Sequence, residues 1–164
     1  MKLYLVRHGQ SNQEDIDPEQ SLSAIGEKDL AKLAESIYHL DINIEQIWHS
    51  GKKRAKQTAE IISAAVKTQK GLVEKTGLKP NDPVAPVAQD IIAHDADLML
   101  VGHLPFMSKL VSYLLTGDED KCEINFMAGA VACLEYDKGK WTLNWLIHPG
   151  LFPHEEKHGF YSYH

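Results

Sequence analysis

Four side chains stand out for the chemistry they could do together: Arg7, His8, Arg54 and His103. Two guanidiniums offer planar, permanently charged forks that match phosphate oxygens. Two imidazoles can supply a nucleophilic nitrogen and a further hydrogen-bond donor. That inventory suits phosphoryl transfer. His8 must be neutral to attack phosphorus in line, and two nearby arginines disfavour its protonated form. Attack leaves a phosphohistidine on His8, the arginines and His103 stabilise charge on the equatorial oxygens, and water hydrolyses the intermediate. No metal and no cofactor are needed, because the arginines do the neutralising that magnesium does in other phosphoryl-transfer sites. The sequence also lacks the glycine-rich Walker pattern of nucleotide cleavage.

These residues are far apart in the chain, so the fold must bring them together. Leu3-Tyr4-Leu5-Val6 is an apolar run of the kind that forms a buried parallel strand, and it ends at Arg7-His8-Gly9-Gln10. Leu98-Met99-Leu100-Val101 repeats the pattern and ends at Gly102-His103. Ile44 with Ile47-Trp48 reads as one short strand ending at His49-Ser50-Gly51, and Leu72-Val73 as another. Between the strands lie helical patterns. Ser23 caps the first helix, in which Leu30, Leu33, Ala34 and Ile37 form the stripe and Gly26 permits close packing on the sheet. Ala55, Ala59, Ile62 and Val66 mark a second helix that places Arg54 in its first turn, where free N–H groups favour an anion.

Asn81 or Asp82 is expected to cap a third helix, with Pro83 in its first turn and Val84, Val87, Ala88 and Ile91 inward. Pro105 suits the first position of a fourth, which buries Phe106, Leu110, Val111 and Leu114 and stops at Gly117. Residues 131–136 and 141–147 flank Asp137-Lys138-Gly139-Lys140 and read as an antiparallel hairpin at the sheet edge. The expected fold is therefore α/β, with a mostly parallel sheet whose carboxyl-end crevice collects Arg7, His8, Arg54 and His103.

A chain of 164 residues fits one domain and buries about 70% of its unfolded surface. The expected organisation is a domain over residues 1–149 and a tail over 150–164. Cys122 and Cys133 are too few and too separated for a disulfide framework or a zinc site, and are read as reduced thiols of a cytoplasmic protein. No apolar stretch is long enough to span a bilayer. A net charge of −6 argues against a nucleic-acid or anionic-membrane surface. Lys52, Lys53, Arg54 and Lys56 nonetheless cluster, either as a solvated helix end or as an anion-steering patch. The histidines of the tail, His154, His158 and His164 with His148, are too irregularly spaced to make a metal site the favoured reading.

Leu5-Val6-Arg7-His8-Gly9, then His49-Ser50-Gly51-Lys52-Lys53-Arg54-Ala55 with Gln57-Thr58-Ala59-Glu60, then Val101-Gly102-His103 resemble the signature segments of the histidine phosphatase superfamily. Within it, the chain is most similar to the small bacterial phosphohistidine phosphatases of the SixA type. That resemblance extends through Leu22-Ser23 with Gly26, Leu78 with Pro80, His103-Leu104-Pro105 and Trp141-Thr142-Leu143-Asn144-Trp145 with Pro149. It implies a three-layer α/β/α sandwich, with His8 as the phosphorylated nucleophile and Arg7, Arg54 and His103 completing the phosphate pocket. Gly9, Ser11 and His49 are expected as pocket neighbours, His49 in an orienting or structural role.

Two departures from the superfamily's pattern matter. Gln10 stands where many members carry a glutamate after the RHG triplet, and only residues 76–82 precede the third helix, too few for a helical insertion bearing an acid. Asp82 is the best nearby candidate for a general acid. A phosphoimidazole tolerates a missing acid, because its ring can be protonated and leave as neutral imidazole. The implied substrate is a phosphohistidine protein reached through an open pocket. The alternatives are a broad phosphomonoesterase for small metabolites and a non-catalytic module that binds phosphorylated partners.

Overall fold

The computed structural model describes residues 1–153. Its elements are β1 (Lys2–Arg7), α1 (Ala24–Tyr38), β2 (Asn43–Ile44), β3 (Gln46–His49), α2 (Lys53–Ser63), β4 (Lys67–Thr68), β5 (Leu72–Glu74), α3 (Val84–His94), β6 (Leu98–Gly102), α4 (Phe106–Thr116), β7 (Val131–Asp137) and β8 (Lys140–Ile147). The main sheet runs β5-β3-β6-β1-β7-β8. β5, β3, β6 and β1 are parallel, while β7 and β8 join antiparallel at one edge.

Alternation along the strands builds a core on each face of the sheet. Leu3, Leu5, Leu98 and Leu100 pack with Val84, Val87, Ala88 and Ile91 of α3 and Phe106, Leu110 and Val111 of α4. Tyr4, Val6, Met99 and Val101 point the other way, onto Leu30, Leu33 and Ile37 of α1 and Ala55, Ala59 and Ile62 of α2. A strand buried on both faces must be apolar at every position, which is why β1 and β6 read as unbroken runs. Each fully buried leucine in these clusters contributes about 1.5–3 kcal/mol. The result is the expected three-layer α/β/α sandwich with an antiparallel hairpin at its edge.

Local chemistry sets the element ends. Ser23 caps α1 by accepting a hydrogen bond from Gly26 N–H, and Gly117, with φ of 82°, closes α4. In the hairpin, Lys138 and Gly139 both take positive φ, so the turn holds two left-handed residues.

Several expectations need correction. Ile44 and Ile47-Trp48 do not share a strand: β2 pairs with β4 in a separate two-stranded ribbon, and β3 joins the main sheet. Val66 lies beyond the end of α2, half-buried against the same cluster. Gly26 serves the loop after β1 rather than the sheet. A Cβ there would stand 2.0 Å from the Gln10 carbonyl oxygen, a backbone atom with no room to move. Neither Asn81 nor Asp82 caps α3. Pro83 occupies the cap in extended backbone, and Asp82 instead accepts Lys79 N–H in the preceding turn. A proline fixes its own φ and pushes the residue before it out of the helical region, so Asp82 stays in the turn. Pro105 is likewise the cap of α4 and not its first residue. The tail histidines His154, His158 and His164 lie outside the described residues.

Candidate active site

Strand register brings the chemistry together. Arg7 lies opposite Gly102 at the ends of β1 and β6, and His49 lies opposite Val101 at the ends of β3 and β6. The residues that follow these strands, His8, Ser50 and His103, therefore leave the sheet side by side. His8 N–H donates to Gly102 O at 2.9 Å, which fixes the first of them against the last.

His8 is oriented by its neighbour. Its Nδ1 lies 2.7 Å from the Gly9 carbonyl oxygen. A carbonyl can only accept, so Nδ1 carries the proton and Nε2 keeps its lone pair. Gly9 N–H in turn donates to Thr58 Oγ1 at 3.1 Å, and Thr58 Oγ–H donates to Arg54 O at 2.8 Å. Thr58 of α2 thus fixes the backbone that holds His8. Burial pushes the His8 pKa down to about 4, against the Gly9 hydrogen bond and with help from Arg54 and Arg7.

Arg7 is held by Phe126 O, which accepts from Nη1 at 2.9 Å, while its Nε is buried without a partner among the described residues. Arg54 sits in the first turn of α2, close enough to His8 and His103 to lower the pKa of both. Burial lowers both guanidinium pKa values, yet arginine stays charged in proteins. His103 is buried, with its ring centroid 5.0 Å from that of His8. Its Nε2 lies 2.6 Å from Ser50 Oγ, and its Nδ1 has no partner among the described residues. Burial first, then His8, Arg54 and Lys52, push its pKa down to about 3. Arg7, His8, Arg54 and His103 are thus drawn to one end of the sheet. An anion seated there would meet two buried nitrogens, Arg7 Nε and His103 Nδ1, that have no hydrogen-bond partner among the described residues.

The lesser candidates take other places. Gly9 serves through its backbone, as above. Ser11 is half-buried and bridges to Leu22. His49 Nδ1 accepts from Gly51 N–H, and the charges that act on its ring are Glu74, Lys56 and Glu60. Gly51 takes φ of 88°, a left-handed backbone that favours glycine, and a Cβ there would displace the Glu74 carboxyl, 2.6 Å away. The loop with Asp82 passes Gly102, and the Leu78 carbonyl stands 3.6 Å from where a Cβ on Gly102 would be. No helix interrupts that loop between Glu74 and Val84.

The basic cluster divides: Lys53 pairs with Glu19 in solvent at 3.0 Å, while Lys52 and Arg54 act on His103. Sequence reasoning missed Ser50, Thr58 and the Phe126 carbonyl. The adjacency of Ser50 to His49 at a strand end was a usable signal, because alternation points one of the two toward the site.

Residues 3–79 match the family model described as the histidine phosphatase superfamily (branch 1), a span that includes Arg7, His8 and Arg54. This bears out the resemblance carried by the sequence motifs, and the six-stranded sheet with its antiparallel edge is the histidine phosphatase fold. Among solved structures, the protein histidine phosphatase SixA complexed with tungstate superposes with a TM-score of 0.82 at 24% identity, covering 92% of this chain and 99% of that one. A phosphoserine phosphatase from Entamoeba histolytica in complex with phosphoserine gives 0.64 at 15% identity, covering 88% and 95%. No curated protein matches the sequence. Among the described residues, no helix is long and apolar enough to cross a membrane.

Proposed function

We propose that this protein is a metal-independent phosphatase that removes a phosphoryl group from a protein phosphohistidine through a covalent intermediate on His8. The observation that carries the reading is the His8 ring. Its Nδ1–H donates to Gly9 O, so Nε2 keeps its lone pair on a ring whose centroid stands 5.0 Å from that of His103. The phosphorus–nitrogen bond of the substrate breaks as the bond to His8 Nε2 forms, and the leaving imidazole departs neutral after taking a proton. Arg7, Arg54 and His103 bind the three equatorial oxygens. Water then attacks phosphorus, and inorganic phosphate leaves as His8 recovers its lone pair.

Likeness to SixA supports the phosphohistidine substrate, and its complex with tungstate, a phosphate-like oxyanion, supports an oxyanion pocket here. The short loop ahead of α3 favours an open site that admits a protein-borne group. Asp82 is the proposed acid for leaving groups that need one, although its Oδ2 accepts from Lys79 N–H. The working unit is taken as residues 1–149, acting in the cytoplasm with Cys122 and Cys133 as thiols.

Phosphate release from a phosphohistidine protein, a small phosphoramidate and common phosphate esters tests the reading. Fastest turnover of the phosphohistidine protein, unaffected by chelators, is expected. Faster turnover of phosphate esters would favour a phosphomonoesterase, which the likeness to phosphoserine phosphatase supports. No turnover of any member would leave only a phosphate-binding module.

A further inference from the structure

We propose that Ser50 is a positioning residue that sets the tautomer of His103, so that His103 meets the phosphoryl group through Nδ1–H. The inference rests on the phosphate-pocket reading and adds a residue to it. Ser50 is buried at the end of β3, and its Oγ lies 2.6 Å from His103 Nε2. Lys52 N–H donates to the same Oγ at 3.3 Å. A hydroxyl has one proton, and an imidazole that stays neutral has one as well.

Two arrangements satisfy the short contact. If His103 Nε2 carries the proton, it donates to Ser50, and Ser50 Oγ–H must then find another acceptor beside Lys52. His103 Nδ1 would present a bare lone pair to an anion. If Ser50 Oγ–H donates to Nε2, the chain Lys52 N–H to Ser50 Oγ–H to His103 Nε2 is complete. The proton of His103 then sits on Nδ1, which is buried with no partner among the described residues. Nε2 is engaged by Ser50 and the ring stands 5.0 Å from that of His8. Nδ1 is therefore the ring nitrogen left to meet an oxygen of a phosphoryl group on His8. Only the second arrangement gives every proton in the chain an acceptor once that group is bound.

The depressed pKa of His103 strengthens the case, since a ring that is neutral at working pH has a single donor to direct. A residue that merely filled space beside His103 would have no say in which nitrogen carries it. Alanine at position 50 leaves the ring free to adopt either tautomer. Threonine keeps the hydroxyl.

The test has two readouts on the full chain. Nitrogen-15 NMR of the histidine side chains should find His103 protonated at Nδ1 in the unsubstituted protein, and inorganic phosphate should shift that signal. An Nε2-protonated ring would overturn the proposal whatever the enzyme's activity. Ser50→Ala should lower kcat about 100-fold, the lower end of what loss of one preorganised donor costs, with a smaller change in KM. Ser50→Thr should recover most of it. Ser50→Ala with full kcat, or Ser50→Thr as impaired as Ser50→Ala, would contradict it. Should Ser50→Ala fail to fold, the spectrum of the unsubstituted protein and the threonine variant decide. Should no substrate turn over, the phosphatase reading fails separately, and the spectrum with its phosphate titration still decides the role of Ser50.

Discussion

The imidazole rings of His8 and His103 lie with centroids 5.0 Å apart and planes inclined by 54°, and a different neighbour engages each ring. Gly9 O accepts from His8 Nδ1, and Ser50 Oγ meets His103 Nε2. Each ring thus keeps one nitrogen for a ligand, Nε2 on His8 and Nδ1 on His103. Two rings packed this closely beside Arg7 and Arg54 cannot both charge cheaply, which is the electrostatic core of the site.

Stability should therefore fall with acid in a defined window. Burial takes His8 down to about 4 and His103 down to about 3, whereas a histidine in the unfolded chain titrates near 6.5. Above about 6.5 neither state binds these protons and the full stability is present. As pH falls below that value the unfolded chain takes up protons that the native rings refuse, and stability is lost progressively until the native rings titrate. The loss from the pair is on the order of several kcal/mol. Nuclear magnetic resonance titration of the native ring signals checks the lowered pKa values, and urea unfolding between pH 7 and pH 4 checks the loss of stability. Native rings that titrate at the unfolded value would contradict the expectation.

Arg54→Lys should separate charge from geometry. Lysine keeps the positive charge near His8 but loses the planar fork. We expect kcat/KM on any turned-over substrate to fall about 100-fold, while the urea midpoint barely moves because Arg54 is only half-buried. Activity close to that of the unsubstituted protein would argue that Arg54 acts as a diffuse charge.

Gly26→Ala should damage both fold and site. The added Cβ would stand 2.0 Å from Gln10 O, which accepts Ser23 N–H and Ser23 Oγ–H as the loop from His8 meets the cap of α1. Overpacking against fixed backbone costs about 1–3 kcal/mol. The displaced loop should also reduce activity. Thermal unfolding beside steady-state kinetics checks both, and an unperturbed melting temperature would show that the loop yields.

Much of this architecture was legible because buried parallel strands announce themselves. Leu3 to Val6 and Leu98 to Val101 are apolar at every position, and each run ends two residues before a histidine. The stripes of α1 and α3 were equally plain, as was the hairpin turn at Lys138 and Gly139. What escaped the sequence was short, or lay in the backbone. β2 and β4 are two residues each, too brief for any period to register. The cap of α3 passed to Pro83 because proline geometry overrode the side-chain preference of Asn81 and Asp82. The role of Gly26 is a close approach to a carbonyl distant in sequence. Arg7, His8, Arg54 and His103 could be gathered at one strand-end crevice from pattern alone. The orienting contacts of Ser50, Thr58 and Phe126 O depend on register and rotamer, which no pattern records.

The central claim is that His8 Nε2 takes the phosphoryl group. Rapid quenching of the protein with a phosphohistidine protein or a small phosphoramidate, followed by mass spectrometry of the digested chain, tests it most directly. The account predicts an acid-labile phosphoryl group on the peptide that carries His8, formed before inorganic phosphate appears and absent from a folded His8→Ala variant. A His8→Ala protein that still traps phosphate covalently, or full turnover without any phosphorylated His8, would contradict it.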